Sequence, residues 1–195
     1  MTESTVMAIG LVFLAYLWGS IPTAVIVCHA LNIPDPRKQG SGNPGTTNVL
    51  RIGSRKAAGI TLIGDAGKGF LALLPYLLLD LDAVIGSACT LAVITGHMLP
   101  VFSSFRGGKG IATTFGACLG LYWPLALMQF CTWALLVAIS RTSSLASVST
   151  ALITPLFIWL AAPEYLGLMC IIAALLVFSH RQNIRNILDG KEPRL

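Results

Sequence analysis

Residues 6–31 read VMAIGLVFLAYLWGSIPTAVIVCHAL, an apolar run without a single Asp, Glu, Lys or Arg. A helix needs about 20 apolar residues to cross a bilayer. Further apolar runs occupy roughly 57–81, 83–102, 111–139 and 148–178. Of the 195 residues, 55% are hydrophobic and 11% charged, and the mean hydropathy is +0.77. A soluble domain carries roughly 25% charged residues, and one of this length could not hide so much apolar surface. A soluble enzyme, a disordered chain and a disulfide scaffold are therefore excluded. The chain reads as an all-α integral membrane protein, a polytopic helical bundle forming one domain over 1–195. Its start, Met1-Thr2-Glu3-Ser4, has no basic n-region, so the first run reads as a retained span.

The cysteines Cys28, Cys89, Cys118, Cys131 and Cys170 all lie in apolar stretches without metal-ligand spacing. They read as small packing residues. No metal and no cofactor is expected.

The runs 111–139 and 148–178 are long for one crossing. Tyr122-Trp123-Pro124 interrupts the first and Pro163-Glu164 the second. Proline breaks helices, and Tyr and Trp favour the headgroup layer. Splitting both runs predicts seven transmembrane helices; leaving them whole gives five as the alternative. With seven spans and the N-terminus outside, the inner segments are 32–56, 103–110, 140–147 and 179–195. They hold Arg37, Lys38, Arg51, Arg55, Lys56, Arg106, Lys109, Arg141, Arg181, Arg185, Lys191 and Arg194, every basic residue except Lys68. The outer segments hold only the acids Glu3, Asp80, Asp82 and Glu164. This positive-inside pattern puts the C-terminus in the cytoplasm. The net charge of +5 therefore points to membrane orientation, not nucleic acid.

The first inner loop, Gly40-Ser41-Gly42-Asn43-Pro44-Gly45-Thr46-Thr47-Asn48-Val49-Leu50-Arg51, formally matches G-x-G-x-x-G. It follows a membrane helix and not a strand, so the dinucleotide reading fails. Its glycines allow backbone N–H groups to converge on an anion, and Arg51 offers a bidentate fork to phosphate. The bland alternative is a polar linker. The second inner loop, Phe105-Arg106-Gly107-Gly108-Lys109-Gly110, precedes Ile111-Ala112-Thr113-Thr114. A basic glycine-rich segment at a helix N-terminus suits an anion. Gly110 stands where a Walker A motif needs Ser or Thr. Within the runs, Asp65 and Lys68 lie three apart on one helical face, as an ion pair or the wall of a polar cavity. His97 lies near the inner end of its run. Ser144 and Ser147 precede a helix, as caps or as ligands. His180 and Asn183 share a face if helical, at the inner end of the last span.

These residues resemble the bacterial acyl-phosphate:glycerol-3-phosphate acyltransferases, the PlsY family. The resemblance covers essentially the whole chain. It rests on Gly19-Ser20-Ile21-Pro22-Thr23-Ala24, Gly40 to Arg51, Asp65-x-x-Lys68-Gly69, Gly96-His97 through Thr113, Ser144-Leu145-x-Ser147, and His180-Arg181-x-Asn183-Ile184 with Gly190-x-Glu192. Thr46 departs from the family's usual Ala, Leu99 from Phe, and Arg106 from a common Lys. The resemblance implies acyl transfer from acyl phosphate to the 1-hydroxyl of glycerol 3-phosphate, at the cytoplasmic face of the bacterial inner membrane. The products would be 1-acylglycerol 3-phosphate, or lysophosphatidic acid, and inorganic phosphate. It implies no cofactor.

On this reading Ser41, Gly42, Asn43, Thr46, Thr47, Asn48 and Arg51, with Arg106, Gly107, Gly108 and Lys109, are expected to hold two phosphates. Asp65, Lys68, His97, Ser144 and Ser147 complete the polar set. His180 and Asn183 would position the glycerol or the acyl carbonyl. His29, His97 and His180 are followed, after four intervening residues, by Pro34, Phe102 and Arg185. The H-x-x-x-x-D dyad of other glycerolipid acyltransferases is therefore missing. Proton removal falls to His180 or to the departing phosphate. An anion transporter and a non-enzymatic membrane subunit are the rival classes. Acyl-chain preference and oligomeric state are not legible.

Overall fold

In the computed structural model, residues 3–194 are described, and they are helical without strands. They divide into two compact units, one ending at Leu121 and one beginning at Tyr122.

The first unit opens with α1 (Glu3–Gly19) and α2 (Thr23–Ala30). The break at Ser20–Pro22 lies inside the first apolar run and was not anticipated as a helix boundary. Pro22 has no N–H to donate, so the helix stops before it and restarts after it. Then come α3 (Thr46–Ile52), α4 (Arg55–Leu71), α5 (Leu74–Leu78), α6 (Ala83–Met98) and α7 (Ile111–Leu121). Ser54 caps α4 by accepting from Ala57 N at 3.1 Å.

Two helix pairs dominate this unit, α1 with α6 and α4 with α7. Both depend on glycine at reciprocal positions. A Cβ at Gly19 would collide with Val93 O, and one at Gly96 with Tyr16 O. In the second pair, Gly69 faces Thr113 O and Gly116 faces Ala66 O just as closely. Lipid supplies no hydrophobic drive to bring helices together, so close backbone approach takes its place.

The second unit contains α8 (Trp123–Ser140), α9 (Ser143–Ala161), α10 (Leu166–Ser179) and α11 (Arg181–Leu188). Pro163–Tyr165 forms a short 3₁₀ turn between α9 and α10. The two breaks expected at Tyr122–Pro124 and Pro163–Glu164 are thus present. Side chains join α8 to α9: Trp133 Nε1 donates to Ser147 Oγ at 3.1 Å, and Gln129 Nε2 to Thr154 Oγ1 at 3.3 Å.

Four segments are long and apolar enough to cross a membrane: Thr5–Ala30, Ala83–Ser103, Trp123–Ser140 and Ser143–Ala161. A fifth combines Pro163–Ser179 with Arg181–Leu188, bent by 60°. Ile111–Leu121 is apolar but shorter. Leu14, Ile139 and Leu160 on these segments, with Ile63 on α4 and Leu78 on α5, are exposed, as lipid contact requires. Cys28, Cys89 and Cys118 are buried, Cys131 and Cys170 are exposed, and all five are free thiols.

Candidate active site

The first inner loop is organised by one side chain. Asn48, buried on α3, donates from Nδ2 to Pro36 O at 2.8 Å and to Gln39 O at 3.0 Å. Its Oδ1 accepts from Ser41 N at 2.9 Å. Gly40 must be glycine twice over: its φ is +62°, and a Cβ would collide with Asn48 Oδ1. Upstream, Arg37 clamps Asp35, with Nη2 donating to Oδ2 at 2.7 Å and Nε to Oδ1 at 3.0 Å. That guanidinium holds the Asp35 carboxyl below its ordinary value of 3.8. Asn48 therefore builds the loop, while Ser41 and Gly42 stay exposed at its tip. Thr47 and Arg51 lie four apart along α3 and share a face.

The second loop folds back onto α6. Phe105 N donates to Pro100 O at 2.9 Å, Arg106 N to Ser103 O at 3.0 Å, and Gly108 N to His97 O at 3.1 Å. Ser104 and Phe105 take φ of +51° and +58°, a region costly for residues with a Cβ. A Cβ at Gly107 would meet His97 O, and one at Gly108 would meet His97 Nε2. The glycines thus lie flat on His97. α7 starts at Ile111, with two residues between, so its first turn points its N–H groups back toward this loop.

Beneath the loop is a buried charged cluster. Lys68 Nζ pairs with Asp65 Oδ1 at 2.9 Å, as the i,i+3 spacing predicts. The same ammonium donates to Ile21 O at 2.8 Å. That carbonyl is accessible to a side chain because the Pro22 break takes it out of the helical ladder. His97 Nδ1 faces Asp65 Oδ1 at 3.5 Å. Asp65, Lys68, His97, Arg106, Gly107 and Gly108 line one cleft, with Pro44 of the first loop at its rim. The structure therefore brings both inner loops and the buried triad to one place.

The second unit carries the other candidates. Ser144 Oγ donates to Glu192 Oε1 at 2.6 Å, and Asn183 Nδ2 donates to the same oxygen at 2.7 Å. Glu192 belongs to the quoted Gly190-x-Glu192 but was given no role. Gly190, at φ +67°, turns the chain so that this carboxylate returns to α9 and α11. Neither Ser144 nor Ser147 caps a helix, because α9 begins earlier, at Ser143. The Ser147 hydroxyl accepts from Trp133 and donates to Ser143 O at 2.8 Å. His180 is buried at the α10–α11 junction, with Nδ1 2.8 Å from Leu176 O. A carbonyl can only accept, so this contact requires the proton on Nδ1. A backbone carbonyl is thus one of the partners that orient His180.

Among the described residues, no group of three His, Cys, Asp or Glu is placed to hold a metal ion. The cations, hydroxyls and backbone donors that are present can bind anions and stabilise an oxyanion.

A model of the glycerol-3-phosphate acyltransferase family matches residues 9–190. A glycerol-3-phosphate acyltransferase of Thioalkalivibrio sulfidiphilus is 46% identical over 191 residues, covering 97% of this chain and 94% of the relative. One from Nitrosomonas eutropha is 47% identical over 192 residues, covering 95% and 96%. The crystal structure of PlsY, an integral membrane glycerol 3-phosphate acyltransferase, in its glycerol 3-phosphate form superposes with a TM-score of 0.90. It is 35% identical, with 97% of this chain and 96% of that one covered. The lysophosphatidic acid form gives 0.89 at 34% identity, covering 97% of this chain and 95% of that one. This chain belongs to the glycerol-3-phosphate acyltransferase family.

Proposed function

We propose that the protein transfers an acyl chain from acyl phosphate to the sn-1 hydroxyl of glycerol 3-phosphate, the first acylation of bacterial phospholipid synthesis. The family match across residues 9–190 carries this reading. Arg51, Thr47, Ser41 and Lys109 hold the two phosphates, with Gly42, Asn43 and Thr46 contributing from the first loop and Arg106, Gly107 and Gly108 from the second. Asp65, Lys68 and His97 line the cleft behind them. Ser144, Ser147, His180 and Asn183 place the glycerol and the acyl carbonyl.

The glycerol 1-oxygen attacks the acyl carbon, and the negative charge moves to the carbonyl oxygen. Fixed donors and cations stabilise that charge. The intermediate collapses by breaking the carbon–oxygen bond to phosphate. The hydroxyl proton leaves on the departing phosphate, or passes through His180 Nε2; the phosphate is the favoured acceptor. Support comes from His180 Nδ1, which is engaged 2.8 Å from the backbone carbonyl of Leu176. Holding both substrates supplies up to roughly 7–11 kcal/mol.

We further propose seven crossings, with the N-terminus outside and the C-terminus in the cytoplasm of the bacterial inner membrane. The chain then acts as one domain with its active site on the cytoplasmic face. The charge asymmetry supports this topology.

Purified protein in detergent, given labelled glycerol 3-phosphate and chelator, tests the function. Palmitoyl phosphate should yield 1-acylglycerol 3-phosphate, and palmitoyl-CoA should not. No product from either donor, with folded protein, would overturn the proposal.

A further inference from the structure

We infer that Asp65, His97 and Lys68 form a positioning network that sets the Gly107–Gly108 backbone for phosphate, acting through the His97 ring without touching substrate. This rests on the reading that the second loop holds a phosphate.

Lys68 and Asp65 neutralise one another at 2.9 Å, with only 6% and 3% of their side chains exposed. Lys68 is also tethered to Ile21 O. An ammonium so paired is a poor receptor for a further anion, and a good anchor. Asp65 Oδ1 in turn faces His97 Nδ1 at 3.5 Å, both atoms being buried. A carboxylate can only accept, so the favourable arrangement has the proton on Nδ1. Nε2 then points at Gly108, which is packed so closely that a Cβ could not be added.

The carbonyl of the same residue accepts Gly108 N–H at 3.1 Å. His97 is therefore the floor of the glycine turn, through ring and backbone together. Turning the ring would move Gly108 and the N–H groups after it.

The pair is a carboxylate–imidazole couple built by the fold from α4 and α6. Its Nε2 side is packed against Gly108, so the ring holds the turn. The 3.5 Å separation exceeds a hydrogen bond, and such links tighten when a site is loaded.

Kinetics of the purified full chain test this, with KM for glycerol 3-phosphate and for palmitoyl phosphate measured apart from kcat, and folding followed by thermal melting. In His97→Asn the amide nitrogen replaces Nδ1 and still donates to Asp65. In His97→Gln it extends toward Nε2 and does not. His97→Gln should raise KM for at least one phosphorylated substrate by about tenfold, with kcat within about threefold. His97→Asn should show a clearly smaller rise. Equal effects of the two variants, unchanged KM in both, or a fall in kcat alone would overturn the inference. If the His97 variants do not fold, the Asp65→Asn/Lys68→Met double variant should give the same KM rise, and wild-type KM there overturns it. Lys109→Ala separates the underlying reading: wild-type KM and kcat in that variant would remove the phosphate loop itself, and the inference with it.

Discussion

Lys68 donates its ammonium to the backbone carbonyl of Ile21, 47 positions earlier in the chain, at 2.8 Å. The contact exists because Pro22 interrupts the first apolar run and releases that carbonyl. It ties the α1–α2 break to α4, and Asp65 on the same helix supplies the counter-charge. Lys68→Met should leave the Asp65 carboxylate buried without its partner. Breaking a buried pair in this way costs about 3–5 kcal/mol. The thermal midpoint in detergent should fall sharply, and Asp65→Asn in the same chain should recover part of the loss.

Arg51→Ala and Lys109→Ala should each nearly abolish turnover while folded protein is still obtained. Loss of one preorganised oxyanion donor costs about 10²–10³ in rate, and loss of a phosphate-holding cation should cost at least that. Steady-state assays decide it; near wild-type activity in either variant would sink the two-phosphate arrangement. His180→Asn should keep more than trace activity if the departing phosphate takes the proton. Complete loss with intact substrate binding would favour the imidazole.

Asn48 should be intolerant even of its closest relative in shape. Asn48→Asp removes both donations, to Pro36 and Gln39, and sets a carboxylate against two carbonyls. An orphaned buried polar group costs about 1–3 kcal/mol, more when charged. Hydrogen exchange of residues 36–45 should accelerate in both Asn48→Asp and Asn48→Ala, with the larger effect in Asp.

Glycines in this protein divide by what surrounds them. Gly116→Ala drives a Cβ into Ala66 O at the α4–α7 crossing, and overpacking of this kind costs about 1–3 kcal/mol. Gly59→Ala, also helical and with open space around it, should be neutral or stabilising by up to about 1 kcal/mol. Melting temperatures of the two variants should move in opposite directions or differ by several degrees.

The Asp35 carboxyl is held below its ordinary value of 3.8 by Arg37. Its contribution to stability is complete above that value and disappears as pH falls through the lowered one. Both side chains are partly exposed, so the effect is at most about 1 kcal/mol. Asp35→Asn should flatten the acid side of the exchange profile for residues 35–39 and leave the neutral side only slightly changed. An unaltered acid profile would mean that the clamp does not govern this turn.

The breaks at Tyr122–Pro124 and Pro163–Glu164 were legible because proline and interfacial aromatics sit together there. Pro22 was equally visible, but no charged or aromatic residue adjoins it, and hydropathy alone joins the two halves. Asp65 and Lys68 could be paired from their spacing, since three residues along a helix is a contact distance. His97 could not be joined to them, because only the α4 and α6 packing brings it near. The role of Asn48 was hidden for another reason: its partners are backbone atoms, which leave no mark in residue types. Glu192 stood in a recognised motif, yet its partners Ser144 and Asn183 lie 48 and nine positions away.

The helix α7 has 11 residues, a reach of about 16 Å, against a hydrocarbon layer of about 30 Å. Seven of its residues are buried, and it packs against α4 and α6. So short a rod depends on the protein around it, and not on the bilayer, for its position. Whatever loosens the α4–α7 crossing therefore also unseats the start of α7, where the glycine loop ends.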